Sequence, residues 1–213
     1  MNSATLQWLT DALWPEGQTL DGSQVHWLLD GARDPAVFHL VRRGGLEYSC
    51  LFAGRLEPRL QAAAPYLVHL AAGSPTTNAL LRQGWGNSWG ILTVAPANVT
   101  LQQQRLHLKK LLRVQTEDGA VLAFRFYDPR VLNLYLPSCT DAEWQTMLGP
   151  LESIVTETGN GTGLRMVGRA DAPMRMRELR VGGPLSLLST TTNVVQPDAG
   201  PGAGNPSGKL VYA

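Results

Sequence analysis

The run LAFRFYDPRVLNLYLPSC, residues 122–139, sets two guanidinium groups, a carboxylate and a thiol among aromatic and branched side chains. In such company Arg125, Asp128, Arg130 and Cys139 must be solvated, paired or used, because a buried charge without a partner is strongly unfavourable. Three uses are open. As a brace, Asp128 caps the turn begun by Pro129, and Asp128 or Asp30 receives a bidentate arginine. As a grip, Arg125, Tyr127 and Arg130 hold another polypeptide, since arginine and tyrosine are favoured contact residues. As a catalytic set, Asp30, Arg125, Asp128 and Cys139 gather at the carboxyl ends of strands and act on a small molecule, as a hydrolase or transferase.

Other residues offer less chemistry. GWGNSWG, residues 84–90, looks like a phosphate-binding glycine loop, but Trp89 takes the third glycine position and the loop leads into a strand, not a helix. A tight turn around the indoles of Trp85 and Trp89 is the better account; those indoles and Arg33 are candidate partner contacts. No Walker-type phosphate loop and no GxSxG elbow occurs. His26, His39, His69 and His107 show no pairing at metal-ligand spacing, so no metal and no cofactor is expected. Cys50 and Cys139 lack CxxC spacing and read as two buried thiols. Arg105, Lys109, Lys110 and Arg113 make one basic, solvated helix face.

Periodicity and caps predict the elements that position these groups. Leu6, Leu9 and Leu13 give an amphipathic helix over residues 4–14, stopped near Pro15. VHWLLDGA is a first strand. In DPAVFHLVRRGG, Asp34 caps a helix with Pro35 at its first position and Gly44–Gly45 at its end. EYSCLFAG is a second strand; EPRLQAAAPYLVHL starts as helix and turns strand-like after Pro65. SPTTNALLRQGWG is a helix, SWGILTVAP a third strand, and NVTLQQQRLHLKKLLRV a helix with Leu101, Leu108, Leu111 and Leu112 on one face. EDGAVLAFRFYDP turns into a fourth strand, with Phe124 and Phe126 on one face and Arg125 and Tyr127 on the other. DAEWQTMLGP is a helix capped by Asp141, and LESIVTE a fifth strand. Alternating strands and helices predict an α/β fold: about five strands in a mostly parallel or mixed sheet, flanked by helices, with a short C-terminal extension.

The expected organisation is an N-terminal helix and linker (residues 1–23), an α/β body (24–165), a small extension (166–195) and a flexible Gly/Pro-rich tail (196–213). In the extension, MRMRELRV offers Met174 and Met176 as pliable contact residues beside arginines. Eighteen Lys and Arg against seventeen Asp and Glu leave +1, which favours neither nucleic acid nor a membrane surface as partner. The N-terminus has no basic leader region and no run is apolar enough to span a bilayer, so a cytoplasmic location is expected.

LLDGARDPAVFHLV, CLFAGRLEPRLQAAAPYLVHL, GWGNSWGILTV, LKKLLRV and FRFYDPRVLNLYLPSC occur in this order. Together they resemble the type VI secretion adaptor and chaperone family (domain of unknown function 4123) over about residues 24–158. Its DGARDP motif falls on Asp30 to Pro35, its APYLV element on Ala64 to Val68 and its RFYDPRVL element on Arg125 to Leu132. The resemblance implies a non-enzymatic bacterial chaperone that holds a cognate toxin effector in the cytoplasm and helps load it onto the VgrG spike or its PAAR tip. Beyond residue 165, where the motifs stop, Leu164 to Leu188 is expected either to contact that cargo or to pack as a modest subdomain.

Overall fold

The computed structural model describes residues 1–15, 22–116, 118–168, 175–185 and 211–212. Its α-helices are α1 (Ser3–Leu13), α2 (Pro35–Arg43), α3 (Pro58–Ala62), α4 (Pro75–Gly84), α5 (Leu101–Lys110), α6 (Pro129–Tyr135) and α7 (Asp141–Leu148). Its strands are β1 (Gln24–Asp30), β2 (Tyr48–Cys50), β3 (Pro65–His69), β4 (Gly90–Ala95), β5 (Arg113–Gln115), β6 (Val121–Ala123), β7 (Ser153–Thr158), β8 (Gly163–Gly168), β9 (Arg175–Arg180) and β10 (Val211–Tyr212).

The helices α2, α4 and α6 start where the sequence supplies both a side-chain cap and a proline at the first position. Asp34 and Asp128 each accept from the backbone N–H two residues on, ahead of Pro35 and Pro129. Thr100 and Gln103 close a capping box on α5. The start of α7 corrects the expectation: Thr140 is the cap, boxed with Glu143, and Asp141 is the first helical residue. The Thr140 hydroxyl accepts from the Glu143 N–H while the Glu143 carboxylate reaches back to the Thr140 N–H, an arrangement Asp141 has no glutamate at the right spacing to make.

The fold is mixed α/β, but the sheet is neither five-stranded nor mostly parallel. Seven strands run in the order β2-β3-β1-β4-β7-β8-β9, and every neighbouring pair is antiparallel. Apolar runs such as VHWLL report burial on both faces, which is common among parallel strands but does not fix direction. The alternation of strand and helix is real all the same. α2 carries the chain from β1 to β2 and α4 from β3 to β4, each joining strands that point the same way across one opposed strand. β3 fills the first gap and β1 the second. A small second sheet, β10-β5-β6, is also antiparallel.

Helices cover both faces of the large sheet. Val25, Trp27 and Leu29 pack with Leu9 and Leu13 of α1, Val37 and Val41 of α2, and Leu80 and Leu81 of α4. Leu28, Leu67, Ile91 and Ile154 pack on the opposite side with Leu108 of α5, Leu132 of α6, and Trp144 and Met147 of α7. Each fully buried side chain of this kind contributes roughly 1.5–3 kcal/mol. The expected division into segments is redrawn by this packing. α1 belongs to the first layer, and Trp8 Nε1 donates to the Gly183 carbonyl at 2.8 Å. The boundary expected at residue 165 falls inside β8, and β9 adds a further strand to the sheet. The tail expected over 196–213 lies outside the described residues, apart from Val211 and Tyr212, which pair with β5. Among the described residues no helix is long and apolar enough to cross a membrane.

Candidate functional site

Two motifs far apart in sequence meet at the end of β1. Asp30 is the last residue of that strand and its side chain is 1% exposed. One carboxylate oxygen accepts from the Ala32 N–H at 3.0 Å; the other accepts from the Arg125 guanidinium, which reaches in from a position 48% exposed. The backbone is pinned on both sides. The Asp30 N–H donates to the Trp89 carbonyl at 2.7 Å and the Gly31 N–H to the Ala64 carbonyl at 3.1 Å. A Cβ at Gly31 would lie 2.5 Å from the carbonyl oxygens of Ala62 and Ala64, so only glycine permits this approach. Thus DGARDP is a corner: Asp30 braced, Gly31 pressed against the backbone between α3 and β3, Arg33 exposed, and Asp34 starting α2.

The RFYDPR segment differs from the expected strand. β6 ends at Ala123 and residues 125–128 turn, with the Asp128 N–H donating to the Arg125 carbonyl at 2.9 Å. Alternation therefore does not apply, and Phe126 and Tyr127 are buried side by side. The Arg125 Cζ lies 6.0 Å from the centre of the Tyr127 ring, and burial followed by the nearby Asp30 charge raises the Tyr127 pKa. Asp128 accepts from Arg130 three times, from the backbone N–H at 3.0 Å, from Nε at 2.9 Å and from Nη2 at 2.5 Å. Burial works to raise the Asp128 pKa, but the Arg130 hydrogen bonds outweigh it and hold the group below the usual carboxylate value.

A buried carboxylate that sequence reasoning missed lies close by in the fold. Glu157, on β7, accepts from the Gly86 N–H at 2.5 Å and the Ser88 N–H at 2.9 Å. Burial raises its pKa, only partly opposed by those donors. The signal was present in LESIVTE, where period two puts Glu157 on the same face as buried Val155. This carboxylate fixes the GWGNSWG loop, and the Trp85 Nε1 donates to the Gly161 carbonyl at 3.0 Å. Trp85 and Trp89 are buried in the first core layer, so the expectation that they contact a partner is corrected to a packing role. From α6, Asn133 donates to the Glu157 carbonyl at 2.8 Å and accepts from Arg165 at 2.9 Å. Met176 is half-buried against the second core layer, and Met174 lies outside the described residues.

The model of one family, described as a domain of unknown function (DUF4123), matches residues 25–146, more than half of the chain. The chain belongs to the DUF4123 family. No curated protein and no solved structure matches it. The DUF4123 region contains Asp30, Arg125, Asp128 and Arg130 and stops before β7, so Glu157 lies beyond it.

The remaining candidate groups of the DUF4123 region are scattered. Burial pushes the Cys139 thiol up to about 11 and also raises Cys50, and both are free thiols. Neither is a ready thiolate nucleophile. His26 and His69 lie side by side, tilted, with centroids 5.0 Å apart, while His107 Nε2 lies 2.9 Å from the Met147 carbonyl. Among the described residues no three His, Cys, Asp or Glu side chains are grouped to hold a metal ion. The basic helix face is not uniformly solvated: Arg105 donates to the Cys50 carbonyl at 2.6 Å and the Phe52 carbonyl at 3.3 Å, leaving Lys109, Lys110 and Arg113 exposed. Two open grooves flank the loop after β2. One, of about 710 Å³, is lined by Arg42, Tyr48, Phe52, Arg55 and Tyr66. The other, of about 820 Å³, lies between Phe52, Leu56 and Leu60 and the strand β6.

Proposed function

We propose that this chain is a non-enzymatic chaperone and adaptor that binds a cognate type VI secretion toxin effector in the bacterial cytoplasm and helps load it onto the VgrG or PAAR spike. The resemblance of its motifs to that adaptor family is the starting point. One observation above the others supports it: the carboxylates of the motifs are committed to arginines and to backbone groups. Both oxygens of Asp30 and both of Asp128 hold hydrogen bonds, so neither carboxylate stands as a free base. The exposed surface offers contact residues in their place. Arg130 is 58% exposed and Leu134, one helical turn on along α6, is 82% exposed. Such a pair suits a protein partner better than it suits a small substrate.

The mechanism is mass action. Binding an apolar, aggregation-prone segment of the toxin lowers its free concentration, and the complex dissociates when the spike takes the cargo. Co-expression with the toxin encoded beside this chain is expected to give a stoichiometric complex and more soluble toxin. Failure with every neighbouring candidate, joined to turnover of a small molecule that Asp128→Ala abolishes in an intact fold, reverses the reading in favour of a hydrolase or transferase.

A further inference from the structure

The two sheets end in strands with opposite treatment of their edges. At β2, the Ser49–Leu67 pair faces β3, so the carbonyl of Cys50 points away from the sheet. Arg105 covers it, donating to Cys50 and then to Phe52. At β6 nothing comparable occurs. The Phe124 N–H donates to Leu112 and the Thr116 N–H to Ala120, so in this register the N–H and C=O of Val121 and Ala123 point outward. Among the described residues no group meets them. Val121, Leu122 and Ala123 are all exposed, with Val121 at 55% and Leu122 at 51%, and the strand carries no charge and no proline. Exposed edges are normally blunted by one of those devices.

Among the described residues, the groove beside this edge has one sign of charge. Leu51, Phe52, Leu56, Leu60 and Leu112 give it an apolar lining, and Lys109 and Arg113 are the only ionisable residues among its described lining. We infer that β6 and this groove accept an extended segment of the partner polypeptide, apolar at alternate positions and flanked by acidic residues, which pairs with β6 as an added antiparallel or parallel strand. Main-chain bonds to Val121 and Ala123 give affinity, the apolar wall selects the side chains, and Lys109 and Arg113 select the flanks. The inference deepens the proposed function and rests on it, since it states which chemistry of cargo the chaperone would hold.

The test uses the full chain and two fluorescein-labelled peptides of alternating valine and threonine, one flanked by glutamates and the other by lysines, read by fluorescence anisotropy. The glutamate peptide is expected to bind about tenfold or more tighter than its twin. Ala123→Pro removes an outward N–H and no bond to β5, so it is expected to weaken that peptide about tenfold with the thermal transition kept. Lys109→Glu with Arg113→Glu should exchange the preference between the two peptides, which a misfolded variant would not do. Equal binding, no binding, or indifference to Ala123→Pro overturns the inference. So does a concentration-dependent dimer, seen by sedimentation and abolished by Ala123→Pro, because the groove then serves a second copy. A toxin complex that forms while the peptides fail leaves the chaperone function standing; peptide binding with no toxin complex leaves only the groove.

Discussion

His26 and Asp30 lie four residues apart on one face of β1, both buried, and the chain treats them in opposite ways. Asp30 has a backbone donor two residues on and a guanidinium from a segment 95 residues away. Among the described residues neither ring nitrogen of His26 has a hydrogen-bond partner; the His69 ring lies tilted beside it, and the hydroxyl of Thr93, opposite it in register, has none there either. Burial first, and the neighbouring His69 second, lower the His26 pKa to about 4; the Gln24 backbone opposes this weakly without a well-formed bond. The carboxylate at one end of the strand is met by a cation brought from afar. The imidazole at the other end is pushed toward its neutral form by burial, with no hydrogen-bond partner among the described residues. On this strand the buried carboxylate is the group to which the topology delivers an opposite charge.

The largest expected effect breaks the charged end. Arg125→Met leaves the Asp30 carboxylate buried without its cation and is expected to lower stability by about 3 kcal/mol, read from urea unfolding. Asp30→Asn should cost less, because Arg125 is half exposed and returns to water. Next comes the neutral end. His26 binds a proton near pH 6.5 when unfolded and near pH 4 when folded, so between those values the unfolded chain holds more protons. Stability is expected to fall as pH drops below about 6.5, with a loss of roughly 2–3 kcal/mol by pH 4, and to level off below that. His26→Leu should flatten that part of the pH profile; a profile unchanged by the substitution would assign acid sensitivity elsewhere.

Smaller effects sharpen the comparison. Asp128→Ala removes the cap of α6 and is expected to cost about 1 kcal/mol. Its contribution is present above the usual carboxylate pKa and is lost as pH falls through the lowered folded value. Arg130→Ala deletes the exposed half of the local pair and should change the melting curve least, by about 0.5 kcal/mol or less. An Arg130→Ala effect as large as that of Arg125→Met would mean that proximity to aspartate, not delivery to a buried one, sets the energy.

These particulars mark what was legible in the sequence. The caps at Asp34 and Asp128 were readable because the donor lies two residues along the same chain. The residue types of the Asp30–Arg125 brace were readable too, but the identity of the pair was not, since only the folded sheet brings the end of β1 beside residue 125. Strand direction was hidden because two-sided burial gives the same apolar pattern either way. The burial of Glu157 was readable from period two along β7, but its partners were not: they are backbone N–H groups of Gly86 and Ser88, and those carry no side-chain signature. The strand-like alternation of FRFY failed because Tyr127 and Phe126 fill a turn against the second core layer, where packing overrides period two.

The interleaving of β1, β2, β3 and β4 has a kinetic consequence. As the chain leaves the ribosome, β1 and β2 emerge with the site between them still empty, and their apolar faces have no ladder to join until Pro65 to His69 has been made. Truncations ending between residues 50 and 64 should accordingly be insoluble, whereas extension through β3 supplies the first set of strands able to pair with one another.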